Sequence, residues 1–216
     1  MPKLVTIAWR GLAVVAIIFL LYEAFAIHRA RQATPAVLGA AAKGDLALSD
    51  VPPDYLAMLL KVDDPGFYEH RGVDFSTPGQ GMTSITQSLV KRFYFDNFQP
   101  GFAKIEQSLI ARFVLHPAMT KEAQLKAYIN HSHFGWREGR PIVGFADASR
   151  AYYGRDLHQL DSNQFLSLVA MLMAPKTYDP IRQPQANAER VRRIRAMLSG
   201  QCAPADLRDV TYERCA

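Results

Sequence analysis

The sequence predicts a mostly α-helical domain carried behind one N-terminal membrane-spanning helix. Two observations predict it. Apolar residues recur at helical spacing through most of the chain, and no run alternates with the period of two that a half-buried strand requires. Near the N-terminus, residues 11–22 (GLAVVAIIFLLY) carry no charge, and with Leu4–Trp9 and Ala24–Ile27 they approach the ~20 apolar residues that cross a bilayer. With 216 residues, 49% hydrophobic and 21% charged, the chain suits one globular domain plus a short appendage and excludes a disordered protein.

Residues 1–29 read as the anchor. Arg10 and Glu23 lie toward its ends, where long side chains reach the interface. Lys3 and Arg10 precede the apolar core and Arg29 and Arg31 follow it, so the positive charges set no orientation. A cleaved signal peptide is the competing reading, because Ala24-Phe25-Ala26 forms a small-x-small triplet after the apolar run. Either reading exports the domain.

Residues 30–50 are rich in alanine and read as a linker, ended by Val51-Pro52-Pro53. The domain itself is expected over 51–200. Tyr55–Val62 is an apolar helical segment, broken by Asp64-Pro65-Gly66 because the residue before proline avoids the α region. Helices follow at Thr83–Tyr94, at Phe102–Leu115 ending on His116-Pro117, and at Thr120–Ile129 with Thr120 as N-cap. Gly135–Gly144 reads as a loop and Phe145–Tyr153 as a short helix. Asp161–Met173 is the most apolar helix and the expected core element, and Pro184–Leu198 is the last helix. Within it, Arg190, Arg192, Arg193 and Arg195 read as a solvated face.

The tail, 201–216, holds the only cysteines, Cys202 and Cys215. In an oxidising compartment they could close a loop worth about 3 kcal/mol; the other reading is two free thiols in a frayed terminus. The net charge of +5 suits phosphates or a membrane surface, and no nucleic-acid motif is present.

Two stretches carry candidate chemistry. Asp63, Asp64, Glu69 and His70 fall within eight residues, and Asp63 would close a helix whose terminal carbonyls raise a carboxyl pKa. Such a carboxylate suits a general base, although Asp-Asp-Pro-Gly also reads as a plain turn. On a helix over 83–94, Thr83, Gln87 and Lys91 would lie four apart on one face, a stripe fitted to phosphate or sugar oxygens, or simply a polar surface. Ser88-Leu89-Val90-Lys91 matches a transpeptidase nucleophile pattern whose companion motifs are absent. His131-Ser132-His133 lacks a third ligand at metal spacing, so no metal ligands are assigned.

Taken together, the stretches resemble a family. Asp63-Asp64-x-x-Phe67-x-x-His70-x-Gly72 resembles the E-D-x-x-F-x-x-H-x-G motif of the peptidoglycan glycosyltransferases (glycosyltransferase family 51), and residues 81–91 resemble their G-G-S-T-I-T-Q-Q-x-x-K. Lys104 through Gln107 stand where the family has K-x-x-E, and Thr120-Lys121 through Tyr128-Ile129-Asn130 resemble S-K-x-x-I-L-E-x-Y-L-N. Phe134-Gly135, Gly144, Tyr152-Tyr153-Gly154-Arg155 and Ala174-Pro175-x-x-Tyr178-Asp179-Pro180 continue the likeness in order over about residues 50–200.

The resemblance implies a lysozyme-like helical domain anchored by a single span in the bacterial inner membrane, with its catalytic side in the periplasm. It implies transfer of lipid II disaccharides to a growing glycan strand, with inversion at the anomeric carbon and release of undecaprenyl pyrophosphate. Other cell-wall synthesis proteins are implied partners, and Mg or Mn a cofactor in some members. By position it implies catalytic roles at Asp63 and Gln107. Substrate-binding roles fall to Asp64, His70, Thr83, Ser84, Gln87, Lys91, Lys104, Lys121, Tyr128 and Asn130.

The departures matter chemically. Asp63 replaces a glutamate, and one methylene less withdraws the carboxylate by over ~1 Å, a displacement that can cost about a hundredfold in rate. Gln107 replaces a second glutamate and cannot carry its charge. Ala103, Gln99 and Ser88 replace an arginine, a phosphate-contacting arginine and an amide, and the segment between Gly72 and Gly81 is shorter by roughly a helix. The sequence therefore leaves open an active glycosyltransferase, a non-catalytic relative that binds lipid II or glycan, and a glycan-cleaving enzyme on the same fold.

Overall fold

In the computed structural model, which describes residues 2–215 and the side chains from residue 5 onward, the longest element is α1 (Pro2–Ala41), about 60 Å of continuous helix. Met1, Ala216 and the Lys3 side chain lie outside the described residues. The helix has two characters. From Val5 to Tyr22 its large apolar side chains other than the half-buried Phe19 are exposed, including Trp9 and Leu20. From Glu23 on, Glu23, Ala26, Ala30, Thr34, Val37 and Ala41 are buried in steps of three or four residues, one stripe of a docked helix.

The expected linker is thus largely helical. Alanine favours helix, and the stripe of small residues lets the domain approach closely. Pro35 removes one backbone donor without ending the helix. Thr34 Oγ1 donates to the Ala30 carbonyl (2.8 Å) and lies 3.0 Å from the Tyr94 hydroxyl, tying α1 to the domain. The Ala24-Phe25-Ala26 triplet lies in mid-helix with Ala26 buried.

The domain runs through α2 (Pro53–Asp63), α3 (Ile85–Phe93) and α4 (Phe102–Ile110). The chain then widens into an i→i+5 turn (Ala111–Leu115) and enters α5 (His116–Ala118). The helical run passes His116-Pro117, where the sequence predicts its end. Pro117 sits in the first turn of α5, directly after the widened turn. Next come α6 (Lys121–His131), α7 (Phe145–Tyr153), α8 (Ser162–Met173) and α9 (Pro184–Leu198). Thr120 caps α6 as expected, accepting from the Ala123 N–H.

The expected loop 135–144 is instead an antiparallel hairpin, β1 (His133–Arg137) and β2 (Arg140–Val143), paired Trp136↔Pro141 and Arg137↔Arg140. Glu138 and Gly139 both adopt positive φ, as a tight two-residue hairpin turn demands. Strands this short, interrupted by an irregularity at Gly135, leave no readable alternation.

The core centres on α8, whose residues Phe165 to Met171 are all buried against α2, α7 and α9. A helix buried all round must be apolar all round. Tyr55 of α2 stacks on Phe165 with ring centroids 4.2 Å apart, and its hydroxyl donates to the Leu160 carbonyl (2.6 Å). These contacts fix α2, and α2 ends at Asp63.

Candidate active site

Asp63 and Asp64 leave the end of α2 in opposite directions. Asp64 points inward and is fully buried. It accepts hydrogen bonds from the Ile85 N–H at the start of α3 (2.8 Å) and from His70 Nε2 (2.9 Å). His70 Nδ1 in turn accepts from the Gly72 N–H (3.0 Å), which leaves the ring proton on Nε2. A carboxylate at the positive end of α3 is favourably placed. Asp64 and His70 therefore brace the loop onto α3, and neither lines the cleft.

The half-buried Asp63 faces a cleft of about 510 Å³. The Tyr128 hydroxyl donates to its Oδ2 at 2.6 Å. Burial pushes the Asp63 carboxyl up to about 6; Asp64 also raises it, while the Tyr128 hydrogen bond and Arg190 pull it down. Desolvation, more than the helix end, therefore makes this carboxyl basic. Burial and the Asp63 charge hold the Tyr128 phenol well above its ordinary value, so it remains a donor.

The expected stripe on α3 is only partly formed. Thr83 precedes the helix. Ser84 is the N-cap, accepting from the Gln87 N–H (3.1 Å), while Gln87 Oε1 accepts from the Ser84 N–H (2.9 Å). This reciprocal pair is a capping box. Ser84 Oγ also donates to the Gly72 carbonyl (2.7 Å), and Gln87 Nε2 donates to Ser108 Oγ (2.8 Å). Both side chains are fully buried, and their hydrogen bonds hold scaffold. Thr83, Ser88 and Lys91 do line the cleft. Lys104 joins them from α4, donating to Thr83 Oγ1 (2.7 Å). Burial, and secondarily the Lys91 charge, brings the Lys104 ammonium down to about 8.

Gln107 also lines the cleft, 1% exposed, donating through Nε2 to the Gln87 carbonyl (2.7 Å). Its Oε1 has no hydrogen-bond partner among the described residues. Lys121 and Asn130 lie elsewhere. Lys121 Nζ sits 4.3 Å from the Phe67 ring centroid, and Asn130 clamps the segment leaving α1 through bonds to both the N–H and carbonyl of Leu46. A divalent cation finds no fitting donor set: among the described residues no three His, Cys, Asp or Glu side chains cluster, and Gln107 offers a neutral amide where the family has a carboxylate.

The structure adds residues the sequence reading passed over. Gln80 and Arg190 line the same cleft, 3% and 5% exposed. Arg190 is not part of a solvated face, whereas Arg192 and Arg193 pair with Glu189 and Arg195 bonds Asn163. Helical spacing could have revealed it, because Arg190 is three residues from buried Asn187 and four from buried Ile194. A neighbouring cleft of about 480 Å³ shares Ser88, Lys91, Phe98 and Tyr128 with the first, so the two form one groove joined beside Lys91.

The tail is folded, not frayed. Cys202 and Cys215 are joined in a disulfide, and Tyr212 is 1% exposed.

A family profile described as Transglycosylase matches residues 34–199. Penicillin-binding protein 1F of Bacillus subtilis is 27% identical over 72% of this chain and 23% of its own length. Penicillin-binding protein 1A of Streptococcus pneumoniae is 29% identical over 71% of the chain and 23% of its own. Penicillin-binding protein 1A of Escherichia coli is 28% identical over 63% and 17%. The chain thus spans less than a quarter of the length of these relatives. With the family profile matching most of its length, and at this low identity to its relatives, the chain belongs to the transglycosylase family, the peptidoglycan glycosyltransferases, as a divergent member.

Proposed function

We propose that this protein lengthens peptidoglycan glycan strands by transferring disaccharide units from lipid II, inverting the anomeric carbon and releasing undecaprenyl pyrophosphate. The observation that carries the reading is a carboxyl with a pKa near 6, Asp63, in one groove with the cations Lys91 and Lys104. Tyr128 occupies Oδ2 of Asp63, which leaves Oδ1 to take the proton from the acceptor 4-hydroxyl. The freed oxygen attacks the anomeric carbon, and the bond to the pyrophosphate oxygen breaks on the opposite side. Lys91 and Lys104 meet the charge that develops on the departing pyrophosphate. Lys104, near 8, remains mostly protonated at neutral pH.

Placement at the outer face of the cytoplasmic membrane is part of the same proposal. The exposed apolar half of α1 supports it, as does Phe102 on α4, 78% exposed and beside Phe19 of α1. The Cys202–Cys215 disulfide supports an oxidising compartment.

One observation favours a second reading, binding of lipid II without turnover: the neutral, partly unsatisfied Gln107 in the cleft. Polymerisation of labelled lipid II by the full chain decides between them. Glycan strands and released lipid pyrophosphate support transfer, whereas retained binding with no strand supports the second reading. Shortening of added glycan would instead identify a cleaving enzyme.

A further inference from the structure

Residues 200–215 lie beyond the stretch matched by the family profile, yet they fold onto the cleft. Asp206 and Leu207 offer their carbonyls to the N–H groups of Gly79 and Gly81, at 2.9 and 2.7 Å. Val210 forms part of the cleft wall. The fit is close on both sides. A side chain at Gly79 would meet Pro204 at 2.7 Å and one at Gly81 would meet Val210 at 2.8 Å, and both glycines have positive φ. The tail thus lies along the segment that is shorter than in the family.

Its inward anchor is Tyr212. The hydroxyl donates to the carbonyl of Val62, the residue before Asp63, at 2.9 Å. The ring lies 4.6 Å from the guanidinium of Arg190. Arg190 Nε and Nη1 are buried with no hydrogen-bond partner among the described residues, and the Tyr212 ring is one of the contacts that hold this cation beside the cleft. Tyr212 also keeps φ at 53°, which a non-glycine residue adopts only when its surroundings enforce it. The disulfide closes the loop that contains it.

We propose that the disulfide-closed tail is a working part of the cleft, with Tyr212 as a positioning residue that holds Arg190 and the Asp63-bearing end of α2. The proposal rests on Asp63 being the base. The groups acting on Asp63 are Tyr128 from α6, Asp64 beside it and Arg190 from α9; Tyr212 from the tail holds the preceding residue, Val62, and Lys91 and Lys104 line the same cleft. Loosening Tyr212 frees Arg190 to withdraw, which removes a positive charge near Asp63 and raises its pKa.

The test uses the full chain with Tyr212→Phe, which keeps the ring, Tyr212→Leu, which keeps neither contact, and the Cys202→Ser/Cys215→Ser pair. Two readouts are needed: the pH dependence of kcat on lipid II, and the carbon-13 titration of the Asp63 carboxyl. Tyr212→Leu is expected to move the acid limb and the carboxyl titration up by about one pH unit and to lower kcat about tenfold, with KM within about twofold. Tyr212→Phe gives a smaller loss, about threefold, and carries the test if the leucine variant does not fold. The serine pair moves kcat and the carboxyl titration away from their wild-type values, because a freed tail both releases Arg190 and admits water to Asp63. The proposal is overturned if these variants melt at lower temperature but keep the wild-type kcat and carboxyl titration. If the wild type transfers no lipid II, the glycosyltransferase reading fails by itself. The carboxyl titration then still decides the tail: an upward shift supports its hold on Asp63, and no shift refutes it.

Discussion

The segment from Asp63 to Lys91 divides into a working edge and a scaffold, and the two differ in how their polar groups are satisfied. Asp64, Ser84 and Gln87 each make two or more hydrogen bonds within the protein and are fully buried. Asp63 keeps one side-chain bond, to Tyr128, and Lys91 faces open cleft. Adjacent residues of the same type can therefore have opposite duties. A saturated side chain has no capacity left for a ligand, whereas a half-satisfied one in a cleft does.

The sharpest test of this division is Asp63→Asn. Loss of a general base is expected to lower lipid II turnover about a thousandfold. The fold should survive, and the sign of the stability change is informative. The folded pKa is raised from 3.8 to about 6, so the stability that this group contributes is present below 3.8 and lost as pH rises through about 6. Asparagine removes that loss, and thermal melts above pH 6 should show a variant no less stable than wild type, more stable by up to about 2 kcal/mol. A cooperative loss of stability instead would place Asp63 in the scaffold.

Asp64→Ala should behave in the opposite way. It strands the Ile85 N–H and His70 Nε2, and denaturant unfolding should show a loss of about 3 kcal/mol. Activity measured on the fraction still folded should fall far less than in Asp63→Asn.

Gln107→Glu tests the border between the two groups. It restores the family's carboxylate but sets it against the Gln87 carbonyl that Gln107 now donates to. A loss of about 2 kcal/mol at neutral pH is expected, diminishing on acidification as the new carboxyl protonates and donates again. Increased turnover without that loss would show that the cleft still accommodates a charged group there.

The smallest effect is the pH profile of the wild type. Turnover requires Asp63 deprotonated and Lys104 protonated, so kcat should rise through about 6 and fall through about 8. An acid limb near the ordinary carboxylate range would mean that Asp63 is not desolvated during catalysis.

Local patterns determined much of this molecule. Ser84 with Gln87 and Asp161 with Gln164 form capping boxes because the residue types and their spacing suffice. The apolar run of α8 requires burial wherever it is placed, and the motif residues Asp63, Thr83, Lys91, Lys104, Gln107 and Tyr128 line one cleft. Only tertiary structure decided which carboxylate of the Asp63-Asp64 pair faces the cleft, since α3 claims the other through the Ile85 N–H. It also decided that residues 30–41 are helix docked on the domain, that 133–143 pair as a hairpin, that Arg190 is buried, and that the tail closes on Val62. Each of these outcomes depends on a partner remote in sequence. Spacing along the chain records which face of an element is apolar, but not what lies against it.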